Sequence, residues 1–525
     1  MYRAKVLFSF GREDELDLEA LRRLIRSVAR YLGPEETLQV EAKFSGESPL
    51  EFISSRTLGG SWVLDRLWRE SGLDKTLGRL PRRRQYTLPV ERAIFVMVAN
   101  RALAPMSKPA AAEWATSDTW IDGVDRLETQ HLYRAMDFLL EAREEVEREV
   151  YCQVADLLNL EVDLLHFDTT STYFEVEEPD EPRRQGHSKD KRPDLTQVVV
   201  GLAVTRDGIP VRSWVWPGNT NDMTVIQEVK KDLIGWKLGR VITVLDRGFC
   251  SEENLTVPRR AGGHYIVGEK LRSGEERTEE ALSRAGRFKT VRENLEVKEI
   301  VVGDGEKRVR YVLVRNPLEA ERDRETREAI LGRVNEELRR IGDLKGEPPT
   351  KACCALVAHP TLGRYVKTDK KGQPRLDQAK ARAEEKLDGK YLLSTSDDSL
   401  SAEDVALGYK QLHEVEDAFR TLKTTLSMRP VYHRIEDRIR THVLLCRLAL
   451  LLVRVASVRT GRTWAEPRRV LDRMHVGEFG SKDGRVPRRT ETTPEQAQAF
   501  KALKVKEPPR FLALIPGPSA NIPQP

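Results

Sequence analysis

The chain has 525 residues, and its 88 Lys or Arg against 83 Asp or Glu give a formal net charge of +5. This length allows three or four domains with a sizeable core. An apolar fraction of 39% with a charged fraction of 33% excludes a membrane protein, a disulfide scaffold and a wholly disordered chain. Because +5 is small for this length, any binding of nucleic acid must come from local clusters of basic residues.

Cysteine spacing and the N-terminal sequence predict a reduced protein of the cytoplasm. The five cysteines contain no C-x-x-C pair and no matching histidines, so they predict neither a zinc site nor a disulfide framework. Residues 1–18 contain no continuous apolar segment of the kind found in secretory signals. The most apolar stretch begins at Val443 and carries Arg447 and Arg454 two helical turns apart, which favours a buried core helix over a membrane span.

Residues 1–158 are predicted to form a mainly helical N-terminal region that binds DNA. Apolar residues at helical spacing predict helices over 16–31, 62–69, 89–103 and 129–158. Between them, the run RLPRRRQY at 79–86 places four arginines beside Tyr86. This run is either a solvated surface or a grip on phosphates, and the sequence leaves both open.

A mixed α/β sheet is predicted from about residue 160. Runs of β-branched residues predict strands over 162–168, 195–205 and 209–216, and the last two form a hairpin. A helix over 222–236 and a buried strand over 240–246 follow. This order of strand, hairpin, helix and buried strand predicts the α/β class.

A charged insertion interrupts the α/β pattern. The first part of the α/β domain spans 159–270, the insertion spans 271–388, and the second part spans 389–457. Within the insertion we predict strands over 297–302 and 310–315 and a helix over 317–341, and after it a strand over 390–396 and a long helix over 402–426. Residues 458–525 are predicted to be a basic C-terminal tail.

Two aspartates stand where predicted strands end. Asp168 closes the strand over 162–168, and Asp246 closes the strand over 240–246. Ligands of open α/β sheets collect at the carboxyl ends of strands, so the two carboxylates could share a metal site. For either aspartate alone, the simpler interpretation is a residue that begins a turn.

A third carboxylate must be chosen among Glu414, Glu416 and Asp417 in the helix over 402–426. Helical periodicity places Glu416 at the rim of the apolar stripe, flanked by Arg420 and Lys423, and turns the other two acids toward solvent. Glu416 is therefore expected to point along the sheet toward the aspartates. The alternative is an i, i+4 ion pair with Arg420.

These residues resemble insertion-sequence DDE transposases of the subgroup with a Y-x2-R-x3-E-x6-K signature. The matching segments are HFDTTSTYFE, GHSKDKRPDLTQVVVGLAV, WPGNTNDMT, VLDRGFCSEEN and YKQLHEVEDAFRTLK, which cover most of 160–270 and 390–455. The resemblance implies a ribonuclease-H-like catalytic domain. It also implies an insertion between the second aspartate and the glutamate, in agreement with the charged segment.

The resemblance implies that Asp168, Asp246 and Glu416 are the catalytic, metal-binding triad. The implied cofactor is a pair of Mg²⁺ ions, for which Mn²⁺ can substitute. Two divalent ions about 3.5–4 Å apart activate the attacking oxygen and stabilise the leaving oxygen, and carboxylates suit hard cations. The implied reaction is cleavage by water, which frees a 3′-hydroxyl at the element end, followed by attack of this hydroxyl on target DNA.

The implied partner is double-stranded DNA, both terminal inverted repeats and target, bound by a homodimer in a prokaryotic cytoplasm at the nucleoid. Tyr409 and Lys423 match the aromatic and basic positions of the signature, whereas Leu412 stands in place of its arginine. Arg420 or Arg247 is expected to supply the missing charge to DNA. Two alternatives stay open: a ribonuclease-H-like nuclease that cuts without joining, and an inactive DNA-binding remnant.

Overall fold

A computed structural model describes residues 24, 51–80, 90–158, 164–175, 178–235, 242–249, 264–272, 274–305, 308–343, 348–370, 372–481, 484–513 and 515–516. Apart from residue 24, the helix predicted over 16–31 lies outside these ranges, as do Arg82, Arg83, Arg84 and Tyr86 of the basic run. Contacts divide the chain into two compact units. The first unit comprises Met1–Leu158, Leu422–Met428 and His433–Pro525, and the second comprises Asn159–Thr421 and Arg429–Tyr432.

Helices and strands are numbered separately in chain order. The α-helices are α1 (Gly59–Glu70), α2 (Leu73–Arg79), α3 (Val90–Leu103), α4 (Lys108–Ser117), α5 (Thr129–Glu141), α6 (Arg143–Leu158), α7 (Asp222–Gly235), α8 (Glu276–Ser283), α9 (Pro317–Asp343), α10 (Pro348–Ala358), α11 (Gln378–Glu385), α12 (Ala402–Lys410), α13 (His413–Thr424), α14 (Glu436–Thr460), α15 (Ala465–Leu471) and α16 (Pro494–Leu503). The strands are β1 (Glu51–Thr57), β2 (Leu164–Tyr173), β3 (Gln197–Val204), β4 (Pro210–Pro217), β5 (Ile242–Leu245), β6 (His264–Glu269), β7 (Lys289–Arg292), β8 (Leu295–Val302), β9 (Val309–Arg315), β10 (Val366–Thr368), β11 (Pro374–Leu376), β12 (Lys390–Thr395), β13 (His475–Ser481), β14 (Gly484–Arg489) and β15 (Ile515–Pro516).

Helix α14 forms the core of the first unit. It is long and apolar enough to cross a membrane, but 83% of its most apolar 18-residue window is buried inside the protein. Helices α3 and α5 pack against it, so it is the buried core helix predicted from the sequence. Its Arg447 is 1% exposed, and the Nε atom lies 3.5 Å from Oε1 of the buried Glu147 on α6. The pairing of these two charges allows an arginine inside an apolar helix.

The C-terminal segment completes the first unit. A four-stranded antiparallel sheet has the order β1-β13-β14-β15, and α15 and α16 flank β13 and β14 in sequence. Helices and strands therefore occupy much of 458–481 and 484–513, which lie within the predicted basic C-terminal tail. Val476, Phe500 and Leu503 are buried, but these few core positions could not be recognised in a segment of such high charge.

The predicted helix over 129–158 is two helices that meet at Ala142.

A nine-stranded mixed sheet organises the second unit, in the order β4-β3-β2-β5-β6-β12-β9-β8-β7. Strand β2 is antiparallel to β3 and parallel to β5, and β5 is parallel to β6. The predicted mixed α/β sheet is thus confirmed. Strand β2 continues to Tyr173, so Asp168 lies within the strand and not at its end as predicted.

Helices cover both faces of this sheet near β2. On one face, Trp214 and Trp216 of β4 donate hydrogen bonds to carboxylates of α7, at 3.0 and 2.8 Å. On the opposite face, His166 of β2 bonds through Nε2 to the Gly408 carbonyl of α12 at 2.9 Å. A Cβ atom on Gly408 would lie 2.7 Å from Leu164 Cδ1, so glycine permits the close approach of α12 to β2.

The helix predicted over 402–426 is interrupted. Helix α12 ends at Lys410, α13 begins at His413, and Leu412 between them is buried. At this junction the Leu412 amide donates to the Tyr409 carbonyl three residues back, which tightens the chain into a turn. No glycine or proline marks the break, so helical periodicity alone could not show it.

Strands of the charged insertion extend the same sheet. Strand β12 pairs with β6 on one side and with β9 on the other, and β9 continues into β8 and β7. Helix α8 packs Ala281 against Ile300 and Val302 of β8. Helices α9 and α10 bury a smaller cluster around Ile341 and Leu356. The domain boundaries predicted from the sequence stay a prediction.

Candidate active site

Two aspartates occupy equivalent positions on neighbouring parallel strands of the second unit. In the register of β2 and β5, Phe167 lies opposite Leu245, so the next residues are Asp168 and Asp246. Parallel neighbours lie about 4.8 Å apart in a sheet, and residues in register point to the same face. The structure therefore places these two predicted carboxylates side by side on one face of the sheet, within β2 and directly after β5.

The face that carries the aspartates is the face covered by α12. Side chains alternate along a strand, so Asp168 lies on the same side of β2 as His166, whose ring bonds to Gly408 of α12. Helix α12 packs over His166, and Asp168 lies two residues further along the same strand. The Asp168 side chain is 24% exposed, which leaves it accessible beyond the helix.

Tyr409 connects α12 to the second aspartate. Its hydroxyl donates a hydrogen bond to Asp246 Oδ1 at 3.2 Å, and its ring stacks on Tyr391 with the centroids 5.9 Å apart. Burial, and after it the charge of Asp246, raises the pKa of the Tyr409 hydroxyl above its usual range, so this group stays a proton donor. The sequence predicted a DNA contact for Tyr409; its bond to Asp246, 163 positions away, was not foreseen.

A glycine on the neighbouring strand makes room for this tyrosine. A Cβ atom on Gly268 of β6 would lie 2.3 Å from the Tyr409 hydroxyl oxygen and 2.9 Å from ring atom Cζ. These distances are too short for non-bonded atoms, so any side chain at 268 would displace the ring. Gly268 therefore belongs to the construction of the site, although nothing in its sequence context marks it.

Lys189 lies beside the first aspartate. Its Nζ donates to the backbone carbonyl of Thr169 at 2.8 Å and to the Thr169 hydroxyl at 2.7 Å, and it lies 3.8 Å from Asp168 Oδ1. The next residue, Asp190, is buried and forms an ion pair with Arg429 at 2.5 Å. This pair fixes the loop that presents Lys189 to β2. Lys189 belongs to the segment GHSKD, but the sequence alone predicted no role for this lysine.

The third predicted acid lies on α13. Glu416 is exposed in the first turn of this helix, whereas Glu414 and Asp417 are half-buried. This differs from the predicted wheel, which turned those two toward solvent. Within α13, Glu414 lies as close to the apolar stripe as Glu416 does at 100° per residue, so periodicity alone does not separate them. Arg420 forms an i, i+3 ion pair with Asp417 at 2.6 Å.

The basic residues that were predicted to bind DNA lie in different structural environments. Arg247 is exposed in a short 3₁₀ turn directly after Asp246, and Arg420 is exposed on α13. Lys423 lies in the part of α13 that belongs to the first unit. Leu412, which replaces the signature arginine, is only 8% exposed and packs as a core residue.

The aspartate pair fits a divalent cation in its chemistry, because hard cations bind carboxylate oxygens. The described part of the chain nevertheless contains no group of three His, Cys, Asp or Glu side chains close enough to hold a metal ion. Asp168 and Asp246 are therefore the two carboxylates that the strands align, and among the described residues no third side chain completes a metal-binding group with them.

The geometry defines a mixed α/β protein with paired carboxylates at the edge of neighbouring parallel strands. A sequence model of the family described as "Transposase DDE domain" matches residues 165–452, more than half of the chain. The chain belongs to this family of DDE transposases, which are nucleotidyl-transfer enzymes and generally use divalent metals.

Individual proteins show at most a weak similarity to this chain. No curated protein matches the chain. A solved structure of a piggyBac transposase synaptic complex with hairpin DNA is similar at 11% sequence identity and a TM-score of 0.37, covering 78% of this chain and 79% of that chain. The family assignment therefore depends on the sequence match over 165–452.

Proposed function

We propose that this transposase moves an insertion sequence: it binds terminal inverted repeats, cleaves DNA and joins the freed 3′ ends to a target. The observation that carries the proposal is the register of β2 and β5, which aligns Asp168 with Asp246. The strand arrangement around β2 also supports a ribonuclease-H-like catalytic domain, with the first aspartate on a central strand and the second on its parallel neighbour.

Asp168 and Asp246 would hold Mg²⁺, with Mn²⁺ as a substitute, and Glu416 would supply the third carboxylate. Two bound ions would activate the attacking oxygen and stabilise the leaving oxygen of a phosphodiester. Tyr409 would hold the Asp246 carboxylate in one orientation through its hydroxyl. A ligand held in this way loses less freedom on binding, which is why such supporting hydrogen bonds affect metal affinity.

Lys189 would neutralise charge beside Asp168. An acidic site repels the phosphates that it must bind, so a fixed cation near the carboxylate lowers this barrier. The ammonium group is fixed by Thr169 and lies 3.8 Å from Asp168 Oδ1. Arg247, which is exposed directly after Asp246, would meet a phosphate on the side of the second strand. We propose that the active species is a homodimer on DNA, since transposition must bring two DNA ends together.

The test uses the purified full chain, Mg²⁺ and a duplex carrying the DNA that flanks the coding region. We expect cleavage at short inverted repeats and a covalent product with target DNA. Asp168→Asn, Asp246→Asn and Glu416→Gln should each lower both steps at least about 100-fold. Glu414→Gln, on the same helix as Glu416, and Asp207→Asn, in the exposed turn between β3 and β4, are the matched controls.

The same assay tests Lys189. Lys189→Met removes the charge and keeps most of the side-chain volume, so we expect slower cleavage with normal folding. The matched control is Lys191→Met, two residues further on and exposed. Cleavage without joining by the wild type would favour the nuclease, and no cleavage with any divalent metal would favour an inactive remnant. Full strand joining by Asp168→Asn would refute the site.

A further inference from the structure

Four basic side chains of the first unit are gathered in its interior. Arg101 lies near the end of α3, Lys108 begins α4, His433 precedes α14, and His442 lies within α14. Arg101 is 8% exposed, Lys108 5% and His442 4%, while His433 is half-buried. Charged residues are rarely buried to this extent unless a group of opposite charge lies beside them.

Hydrogen bonds to one short segment bring the group together. Arg101 donates to the Ser427 carbonyl at 3.3 Å and to the Met106 carbonyl at 2.7 Å. His442 bonds through Nε2 to the neighbouring Met428 carbonyl at 3.1 Å, and its ring centroid lies 5.5 Å from that of His433. The end of α3 and the helix α14 thus both contact residues 427–428.

Arg101 is the neighbouring charge that acts most on both Lys108 and His442. Burial, and after it Arg101, lowers the pKa of His442 well below its usual range, so its ring is neutral at pH 7. Burial, and after it Arg101, lowers the pKa of Lys108 to about 8, so the amine still carries its charge at pH 7. Burial raises the pKa of Cys446, which keeps the thiol neutral and unable to act as a counter-ion.

Nearby polar atoms also lack partners. Arg101 Nε, Asn100 Nδ2 and His442 Nδ1 are inaccessible to solvent and have no hydrogen-bond partner within the described ranges. The arginine and asparagine atoms are donors, and both belong to side chains that are at least nine-tenths buried. Buried donors without acceptors are unfavourable, as are buried cations without a counter-charge. A negatively charged acceptor supplies both a hydrogen-bond acceptor and a counter-charge.

We propose that this cluster binds an oxyanion of the phosphate class, with Arg101 and Lys108 supplying charge and Asn100 a hydrogen bond. The anion can be a phosphodiester of DNA or a free phosphate, since both present the same oxygens. The inference does not depend on strand transfer and would hold in a protein without that activity.

The first test is thermal unfolding of the full chain in inorganic phosphate, against chloride at equal ionic strength. At a phosphate concentration about 100-fold above Kd, we expect the Tm of the wild type to rise by about 5 °C. Lys108→Met should have a higher Tm than the wild type without phosphate, because it removes an uncompensated charge, and should show no specific rise. Lys75→Met, at an exposed lysine, is the matched control and should respond like the wild type.

A second variant supplies the anion from within the chain. Asn100→Asp keeps the oxygen that accepts from the Met106 amide at 3.3 Å and adds a negative charge beside Arg101. We expect this variant to be more stable without phosphate and insensitive to it. Equal Tm of the wild type in phosphate and chloride, or the same phosphate response in Lys108→Met as in Lys75→Met, would overturn the proposal.

Competition separates the two sources of the anion. If short duplex DNA displaces phosphate from the wild type and binds Lys108→Met more weakly, the site holds a phosphodiester. If DNA affinity is the same in both proteins while phosphate binds only the wild type, the site holds a free phosphate. Binding measured by calorimetry gives both results without reference to cleavage or joining.

Discussion

At the scale of single residues, the active site depends on contacts between parts of the chain that are distant in sequence. Asp168 and Asp246 could be predicted because each follows an apolar run, and β-sheet geometry brings such positions together. The supporting contacts of Tyr409 and Lys189 could not, since their partners are fixed only by the packing of α12 and of the loop before β3. The position of Glu416 likewise depends on a helix break without a sequence signal.

Tyr409→Phe tests the support of the second aspartate. The ring and its stacking on Tyr391 remain, but the hydrogen bond to Asp246 is lost. We expect the divalent metal concentration for half-maximal cleavage to rise about tenfold, as for other residues that orient metal ligands. Metal titrations of cleavage rate measure this change.

Tyr391→Phe is the matched control for that prediction. Its hydroxyl is buried without a hydrogen-bond partner in the part of the chain that the structure describes, so its loss removes no support from Asp246. The metal requirement of this variant should equal that of the wild type. An unchanged requirement in Tyr409→Phe would show that the bond to Asp246 does not orient the carboxylate.

At the scale of helices and strands, most predicted elements are present, with bounds within a few residues. The strand pair and the helix of the insertion are examples, observed as Leu295–Val302, Val309–Arg315 and Pro317–Asp343. Breaks inside long helices were missed at Ala142 and at Leu412, because neither has a helix-breaking residue. Tertiary packing decided both.

The buried ion pair of α14 gives a prediction at this scale. Glu147→Ala leaves Arg447 charged in an apolar core, so we expect a loss of about 3–5 kcal/mol in the free energy of unfolding. Glu147→Ala combined with Arg447→Met should lose less than Glu147→Ala alone. Denaturant unfolding measures both. Glu319→Ala, which breaks an exposed pair with Arg322 on α9, should change stability by less than about 0.5 kcal/mol.

A larger loss in the double variant than in Glu147→Ala would contradict this interpretation. It would mean that the guanidinium is satisfied by groups other than Glu147 and contributes stability of its own. Glu319→Ala in the exposed pair on α9 is the control for any general effect of removing a glutamate from a helix. The comparison therefore separates the burial of the charge from the loss of a side chain.

At the scale of the whole molecule, pairings across the length of the chain could not be predicted. Ser54 of β1 lies opposite Glu478 of β13, and no local sequence pattern predicts a pairing between residues so far apart in the sequence. The same holds for the insertion, whose strands continue the sheet of the second unit. Sequence periodicity predicts elements, but the order of strands follows from which edges remain to be paired.

Stability of the chain should fall as the pH is lowered from neutral. His166 is fully buried, and burial lowers its pKa to about 4, against about 6.5 in an unfolded chain. The unfolded state therefore takes up the proton first. The stabilisation is complete above about pH 6.5 and is lost as the pH falls toward 4, with a total of about 3 kcal/mol.

Denaturant unfolding between pH 7 and pH 4 measures this loss. His166→Gln removes the titrating group and should show a shallower fall in stability than the wild type. His187→Gln, at an exposed histidine, should follow the wild-type curve. Parallel curves for the wild type and His166→Gln would show that other groups cause the acid sensitivity.

The two outer strands of the nine-stranded sheet bear on the solubility of the protein. Strand β4 begins at Pro210 and ends at Pro217, and β7 begins with Lys289 and ends with Arg292. Proline cannot donate a backbone hydrogen bond, and like charges repel when the same edges of two molecules approach. The edge strands of an open sheet can otherwise pair with another molecule. The residues at its margins therefore act as protection against aggregation of the folded protein.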